Sequence, residues 1–141
     1  MAIWFVPVDL EEINKWTAGS MDEHLGIRFT EVGEDYIKGT MPVDRRTQQP
    51  FGLLHGGASV VLAESLGSVA ANLCVDATKY YCVGLEVNAN HLRPVSSGTV
   101  TGVATPLHQG KTVQIWDIRI YNEDGKMNCI SRLTVAVRER A

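Results

Sequence analysis

The sequence has little of what marks several large classes of protein. Its three cysteines, Cys74, Cys82 and Cys129, are odd in number and contain no C-x-x-C pair, so buried reduced thiols are expected rather than a disulfide framework or a redox motif. Basic residues are not in excess: 13 Lys+Arg stand against 16 Asp+Glu, the net charge is -3, and the longest basic run is Arg45-Arg46. That charge pattern offers no footprint for sequence-independent binding of nucleic acid. Long apolar runs are missing too. Even the uncharged span from Thr47 to Ala63 contains two Gln, one Pro, one His and three Gly, which excludes a bilayer-spanning helix there. The opening residues, Met1 to Glu12, lack a basic start and meet acids early, unlike a signal peptide. A cytoplasmic protein without a membrane partner is the expectation. With no repeat or low-complexity tract, 141 residues that are 45% apolar read as a single domain, 1–141.

What is present is a sequence of periodic elements. Leu10, Ile13, Trp16 and Met21 recur at loose helical spacing and predict a short N-terminal helix within Leu10 to His24. From Gly26 the period changes to two. Ile27-Arg28-Phe29-Thr30 alternates, Gly33-Glu34-Asp35 reads as a turn, and Tyr36 to Val43 follows as a second strand, so a hairpin is expected. After the Pro- and Gly-punctuated loop Thr47 to Leu54, the run from His55-Gly56-Gly57 to Val75 predicts a helix of about 30 Å. One stripe of it is apolar (Leu62, Leu66, Val69, Leu73), and another is mostly small (Gly57, Val60, Val61, Gly67, Ser68, Ala71). Four strands are predicted after it, Tyr80 to Leu92, Val100 to Leu107, Thr112 to Tyr121 and Met127 to Val137. In the first, Val83, Leu85, Val87 and Ala89 are expected on one face and Gly84, Glu86, Asn88 and Asn90 on the other. Short connections predict antiparallel neighbours. The expected class is α+β, a long central helix wrapped by a curved antiparallel sheet. One helix cannot cover both faces of such a sheet, so a partner subunit is expected.

Glu64 is the only formally charged residue between Arg46 and Asp76. An unpaired carboxylate is costly in an apolar helix, so it needs a reason to be there. Ser68 follows it by one turn on the same face, and Val60 and Val61 precede it by one turn. Small residues on that face leave room for a ligand, and a desolvated carboxylate moves toward the range useful for general-base work near neutral pH. The bland alternatives are an acid paired with an Arg or a backbone donor, or one that faces water. At the start of the same helix, His55, Gly56 and Gly57 bring unpaired backbone N–H groups that can serve as an oxyanion hole. Gly56 and Glu64 are roughly 12 Å apart along the axis, too far to touch one atom. Either they meet from different subunits or the helix starts later.

Other templates fail. Gly57-Ala58-Ser59-Val60-Val61 lacks the last Gly of a nucleophile elbow. Gly110-Lys111-Thr112 follows a Thr at position 105 where a phosphate-binding loop needs Gly. His24, His55, His91 and His108 have no metal-ligand spacing, and no G-x-G-x-x-G occurs. Neither a metal nor a cofactor is expected.

The stretch Gln49-Pro50-Phe51-Gly52-Leu53-Leu54-His55-Gly56-Gly57-Ala58-Ser59, followed by Leu62-Ala63-Glu64-Ser65-Leu66-Gly67-Ser68, resembles the signature of PaaI-like, hotdog-fold acyl-CoA thioesterases. The resemblance extends through Ile3-Trp4, His24 to Ile27, Met41 to Thr47, Val83 to Pro94 and Ser131 to Thr134. It implies dimers paired into homotetramers with active sites at the dimer interface, where the helix start of one subunit meets the helix carboxylate of the other. It also implies hydrolysis of acyl-CoA, with aromatic acyl groups of the dihydroxynaphthoyl or hydroxybenzoyl kind and a place in menaquinone biosynthesis. Two other readings stay open: proofreading of thioesters on an aryl carrier protein, and a non-catalytic acyl-CoA-binding module. By the resemblance, Glu64 is the catalytic carboxylate, as nucleophile or as base for water. The Gly56 N–H polarises the thioester carbonyl, Gln49 and His55 position the thioester and leaving group, and Ser68 orients water or Glu64. The phosphates of coenzyme A require a local basic patch, for which Arg93 and Lys111, with Ser96, Ser97 and Gly110, are the candidates. The alternative is that these are ordinary solvated turn residues.

Overall fold

The computed structural model describes residues 1–141. In place of one N-terminal helix it has two short ones, α1 (Leu10–Trp16) and α2 (Met21–His24). Gly19, at φ 78°, turns the chain between them where an L side chain would be strained. Each start is capped: Asp9 accepts the Glu11 N–H at 2.9 Å and Ser20 the Asp22 N–H at 3.2 Å. The expected hairpin follows as β1 (Arg28–Val32) and β2 (Ile37–Pro42), paired antiparallel. The long helix is α3 (Gly56–Leu73), and after it come β3 (Tyr80–His91), β4 (Thr99–Gln109), β5 (Val113–Tyr121) and β6 (Met127–Glu139).

All six strands form one antiparallel sheet in the order β1-β2-β4-β5-β6-β3. The expectation that the later strands pair in chain order holds for β4, β5 and β6 but not for β3, which sits at the edge beside β6. The connection from Leu92 to Gly98 therefore crosses the ends of β6 and β5 before entering β4. Seven extended residues reach about 23 Å, and three strand spacings need only about 14 Å. The crossing is anchored where the Leu92 N–H donates to the Asn128 carbonyl at 2.9 Å and the Leu54 N–H to the Val95 carbonyl at 2.7 Å.

The sheet curves around α3, and the helix lies close enough that glycines set its position. A Cβ on Gly39 would stand 2.8 Å from Leu66 Cδ2, and one on Gly102 would stand 2.5 Å from Leu66 Cδ1. These two glycines are register partners across β2 and β4, so together they form a hole that receives the fully buried Leu66. Gly67 and Ala71, expected on an open small-residue face, instead point into the sheet: a Cβ on Gly67 would lie 2.7 Å from Leu133 Cδ2. The face that stays half-exposed carries Val60, Val61, Glu64, Ser65 and Ser68.

Asparagine side chains cover backbone at both sheet edges. Asn14 of α1 accepts the Phe29 N–H at 3.0 Å and donates to the Phe29 carbonyl at 2.9 Å on β1. Asn72 of α3 does the same for Cys82 on β3, at 2.8 and 3.2 Å. Beyond Cys82 the outer edge of β3 is bare. Cys82 and Cys129 are buried, Cys74 is half-buried, and none is in a disulfide. Burial pushes the Cys74 thiol up to about 12 and those of Cys82 and Cys129 up to about 11, so they are poor nucleophiles at neutral pH.

Leu66→Ala empties the Gly39–Gly102 hole. We expect it to lower unfolding stability by about 2–5 kcal/mol, read as a fall in the denaturant midpoint at constant slope. A loss under about 1 kcal/mol would mean that the helix settles into the hole without it.

Candidate active site

The first turn of α3 is arranged so that one backbone donor is left over. His55 is the N-cap; its Nδ1 accepts the Gly57 N–H at 2.8 Å and its carbonyl accepts the Ala58 N–H at 3.0 Å. The His55 N–H itself donates to the Thr47 carbonyl at 2.8 Å. Of the donors that a helix start leaves without an intrahelical partner, only the Gly56 N–H remains free. A Cβ at Gly56 would lie 2.8 Å from His91 Nε2, so glycine is what allows the last residue of β3 to pack against the helix start.

This free N–H belongs to a pocket of about 350 Å³ lined also by Gln49, Ser59, His91, Arg93 and Asn128, with Leu53, Leu54 and Leu92 as apolar walls. The Gln49 Oε1 accepts the Phe51 N–H, which leaves its Nε2 as a second unused donor in the pocket. Positive partial charge at the helix start and these two donors suit an oxygen that gains negative charge.

Glu64 stands elsewhere, about two turns beyond Gly56 and one turn beyond Val60 on α3. Its carboxylate is seated over Gly84 of β3, where a Cβ would come within 2.5 Å of Glu64 Oε2. It is half-buried and takes part in none of the ion pairs. The paired-acid alternative therefore does not hold within the chain. A second pocket, of about 430 Å³, opens over it. Ser65 and Ser68 lie beside Glu64, Val61 and Val69 form one apolar wall, and Trp16 and Met21 form the other. Trp16 and Met21 are 65% and 62% exposed. The Ser65 hydroxyl donates to Asp22 Oδ1, tying α2 and its side of the pocket to the helix.

The structure thus divides the expected site residues between two places. Gln49 and Gly56 share one pocket, Glu64 and Ser68 share the other, and no lining residue is common to both. His55 lies exposed at the helix start as the cap. Of the residues expected to bind coenzyme A, Arg93 lines the Gly56 pocket. Ser96 and Ser97 are exposed in the same connection, where the Ser96 carbonyl accepts from Gln48 Nε2 at 3.2 Å. Gly110 and Lys111 are at the other end of the molecule. Their neighbour Gln109 donates to Cys74 Sγ at 3.2 Å, at the C-terminus of α3. Ser97 precedes and Gly110 follows the same 11-residue strand, β4, so a single patch of Arg93 and Lys111 does not form within one chain.

Sequence reasoning also missed residues. The expected alternation of β3 breaks at Leu85, the extra residue of a bulge between Gly84 and Glu86. Before it, Cys82 and Gly84 face the helix; after it, Val87 and Ala89 do. Val83 and Leu85, expected beside Val87 and Ala89, are 41% and 57% exposed instead. The shift turns His91 toward Gly56. Asn128 was hidden by a similar bulge, and Trp16 and Met21 by the break at Gly19.

Removing the cap tests the first-turn arrangement. His55→Ala leaves the Gly57 N–H without an acceptor, and we expect about 1 kcal/mol of destabilisation. A fall in Tm of roughly 2–8 °C follows; an unchanged Tm would mean that the ring does not hold the turn.

Comparison with known proteins identifies the family of the chain. Residues 51–129 match the thioesterase superfamily. The chain is 53% identical to the 1,4-dihydroxy-2-naphthoyl-CoA hydrolase of Escherichia coli K12 over 135 residues, 96% of this chain and 98% of that protein. It is 51% identical to the proofreading thioesterase EntH of Cronobacter turicensis, again over 135 residues, 96% and 98% of the two. The crystal structure of a mutant of thioesterase PA1618 from Pseudomonas aeruginosa superposes with a TM-score of 0.97 at 56% identity, covering 99% of this chain and 100% of that one. With a long helix cradled by one antiparallel sheet and relatives of this closeness along nearly its whole length, the chain belongs to the thioesterase superfamily, has the hotdog fold and is a thioester hydrolase.

Proposed function

We propose that the chain hydrolyses coenzyme A thioesters of aromatic carboxylic acids, in active sites that join the Gly56 pocket of one subunit to the Glu64 pocket of another. The observation that carries this reading is the unpaired Glu64 carboxylate, seated over Gly84 beside an apolar pocket, while the one free N–H of the helix start lies in a separate pocket.

The edge of β3 supplies a route to bring them together. It is a long strand with a bare outer edge from Gly84 onward and exposed Val83 and Leu85, which is unusual without a partner. Along it, Glu64 sits at Gly84 and Gly56 at His91. A two-fold axis between Val87 and Asn88 sets Gly84 opposite His91 of the partner subunit. The same axis passes between the two copies of α3, level with Val60, and sets Glu64 opposite Gly56 of the partner subunit. It also carries the partner's Lys111, at the far end of its helix, toward Arg93. Dimers pair further into a tetramer in this reading, and the three unpaired cysteines favour a reducing compartment such as the cytoplasm.

In the joined site the thioester oxygen receives hydrogen bonds from the Gly56 N–H and from Gln49 Nε2, which stabilise the oxyanion as it forms. Glu64 takes the proton of a water whose oxygen bonds to the carbonyl carbon, or bonds to that carbon itself and is then released by water. Ser68, one turn on, orients the attacking group. Collapse of the tetrahedral intermediate breaks the C–S bond, and the thiolate leaves with its electron pair and is protonated. Because a thiolate leaves readily, one carboxylate and an oxyanion hole suffice. Trp16, Met21, Val61 and Val69 form the walls for a flat acyl group, and Arg93 and the partner's Lys111 meet the phosphates.

The test is CoA release from dihydroxynaphthoyl-CoA, hydroxybenzoyl-CoA and a medium-chain acyl-CoA, beside an aryl thioester on a carrier protein. We expect the aromatic CoA esters to lead. Glu64→Ala should lower kcat by about 10²-fold or more, or roughly 3 kcal/mol. Preference for the carrier thioester would move the chain to proofreading, and turnover insensitive to Glu64 would overturn the mechanism. A light-scattering mass of a single chain would sink the shared site.

Gly84→Ala gives an independent check. Its methyl displaces the Glu64 carboxylate, the mobile end of a side chain, so we expect kcat to fall about tenfold or more while Tm stays within a few degrees. Unchanged kcat would mean that the seat of Glu64 on β3 does not matter.

A further inference from the structure

The Oδ1 of Asn128 is the one side-chain oxygen or nitrogen that is sealed from solvent without a hydrogen-bond partner; the residue is 2% exposed. It lines the same pocket as Gly56 and Gln49. Its placement is built into the sheet. Ile120 pairs with Cys129 and Tyr121 with Met127, so Asn128 is the extra residue of a bulge on β6, and its backbone carbonyl accepts from Leu92 in the crossing connection. A bulge lets two consecutive residues, Asn128 and Cys129, both be buried, where an unbroken strand would alternate. An acceptor oxygen desolvated without a donor is destabilising, which points to a ligand that brings one.

The ligand chemistry follows from what the pocket already holds. Among its donors, the Gly56 N–H and Gln49 Nε2 match the oxygen of a thioester, a group that has no donor of its own. On the thiol side of a pantetheine thioester, the donor nearest to that oxygen is the amide N–H two carbons beyond the sulfur. We infer that the Asn128 side-chain amide, whose Nδ2 also makes no hydrogen bond that would resist turning about χ2, brings its Oδ1 into the pocket to accept this amide N–H, so that the pocket reads the thiol half of the substrate beside the scissile bond. The inference rests on the thioester-hydrolase reading of the site and deepens it. Coenzyme A and carrier proteins share this amide, so Asn128 recognises the pantetheine arm in either. It is a positioning residue: it fixes the sulfur and carbonyl against Gly56 and does not touch the reacting atoms.

The experiment uses two small thioesters of one aromatic acid, with N-acetylcysteamine and with 2-acetoxyethanethiol. They differ only in that an ester oxygen replaces the amide N–H. For the unmodified protein we expect kcat/KM for the amide to exceed that for the ester by roughly 10- to 100-fold. Asn128→Ala should lower the amide substrate alone, bringing the two within about threefold of each other. Asn128→Asp, which retains an acceptor oxygen, should keep the preference for the amide. Equal loss on both substrates in Asn128→Ala would assign the residue a structural role and overturn the inference, as would the absence of any preference in the unmodified protein. That last comparison needs no variant, so poor folding of Asn128→Ala does not decide the outcome. Turnover of the ester that is lost in Glu64→Ala upholds the hydrolase reading whatever Asn128 does; no turnover of either thioester overturns that reading itself.

Discussion

The depth at which α3 sits against the sheet is the constraint on which the rest depends. Leu66 enters a hole that exists because neither Gly39 nor Gly102 has a Cβ, and Gly67 lets Leu133 close over the next residue. Those contacts fix both the height and the rotation of the helix. With them fixed, Glu64 lands on Gly84 and Gly56 lands on His91. Interiors are packed as tightly as crystals of small molecules, so a helix even one methyl group higher would carry its carboxylate off β3 and its first N–H off the pocket. Stability and site are in this sense one arrangement. The same glycines that remove side-chain contacts from the sheet create the closeness that aligns the polar groups.

The second device is selective satisfaction of backbone donors. A helix start offers several N–H groups, and a diffuse cluster of them would bind water or anions without much direction. Here Thr47 takes one, the two polar ends of His55 take two more, and the Gly56 N–H is left. Histidine is an uncommon cap. Its ring reaches Gly57 through Nδ1, and the choice of that acceptor decides which amide faces the pocket. Edges follow a similar logic: Asn14 and Asn72 quench β1 and β3 at one point each, and the remainder of β3 stays open to pairing.

Much of this was legible in the residues. The hairpin, the long helix and all four later strands follow from periodicity and turn signals, and they stand close to where the sequence puts them. Glu64 stood out as a lone charge in a long uncharged span, and His55-Gly56-Gly57 as a helix start. What periodicity misses is the insertion of a single residue. Leu85 on β3 and Asn128 on β6 each shift a strand by one, and since side chains alternate with period two, every residue beyond such a point changes face. That is why Val87 was grouped with Val83, and why His91 and Asn128 could not be placed beside Gly56. The order of strands was hidden for another reason. A seven-residue connection suits either a turn to a neighbour or a crossing of two strand ends, and only the pairing of β3 with β6 distinguishes them.

The sequence by itself determined the element types, the class of fold, the lone carboxylate and the glycine-rich helix start. These depend on local pattern, on a few turn residues and on charge, all of which act over short stretches of chain. The tertiary structure alone decided which face of each strand looks at the helix and where Arg93 and Lys111 lie relative to one another. It also decided which single N–H and which single acceptor remain unpaired in the pocket. Those outcomes depend on register, bulges and close contacts between residues distant along the chain, such as Glu64 with Gly84 and Gly56 with His91. Their distances are set by packing, which no local pattern encodes.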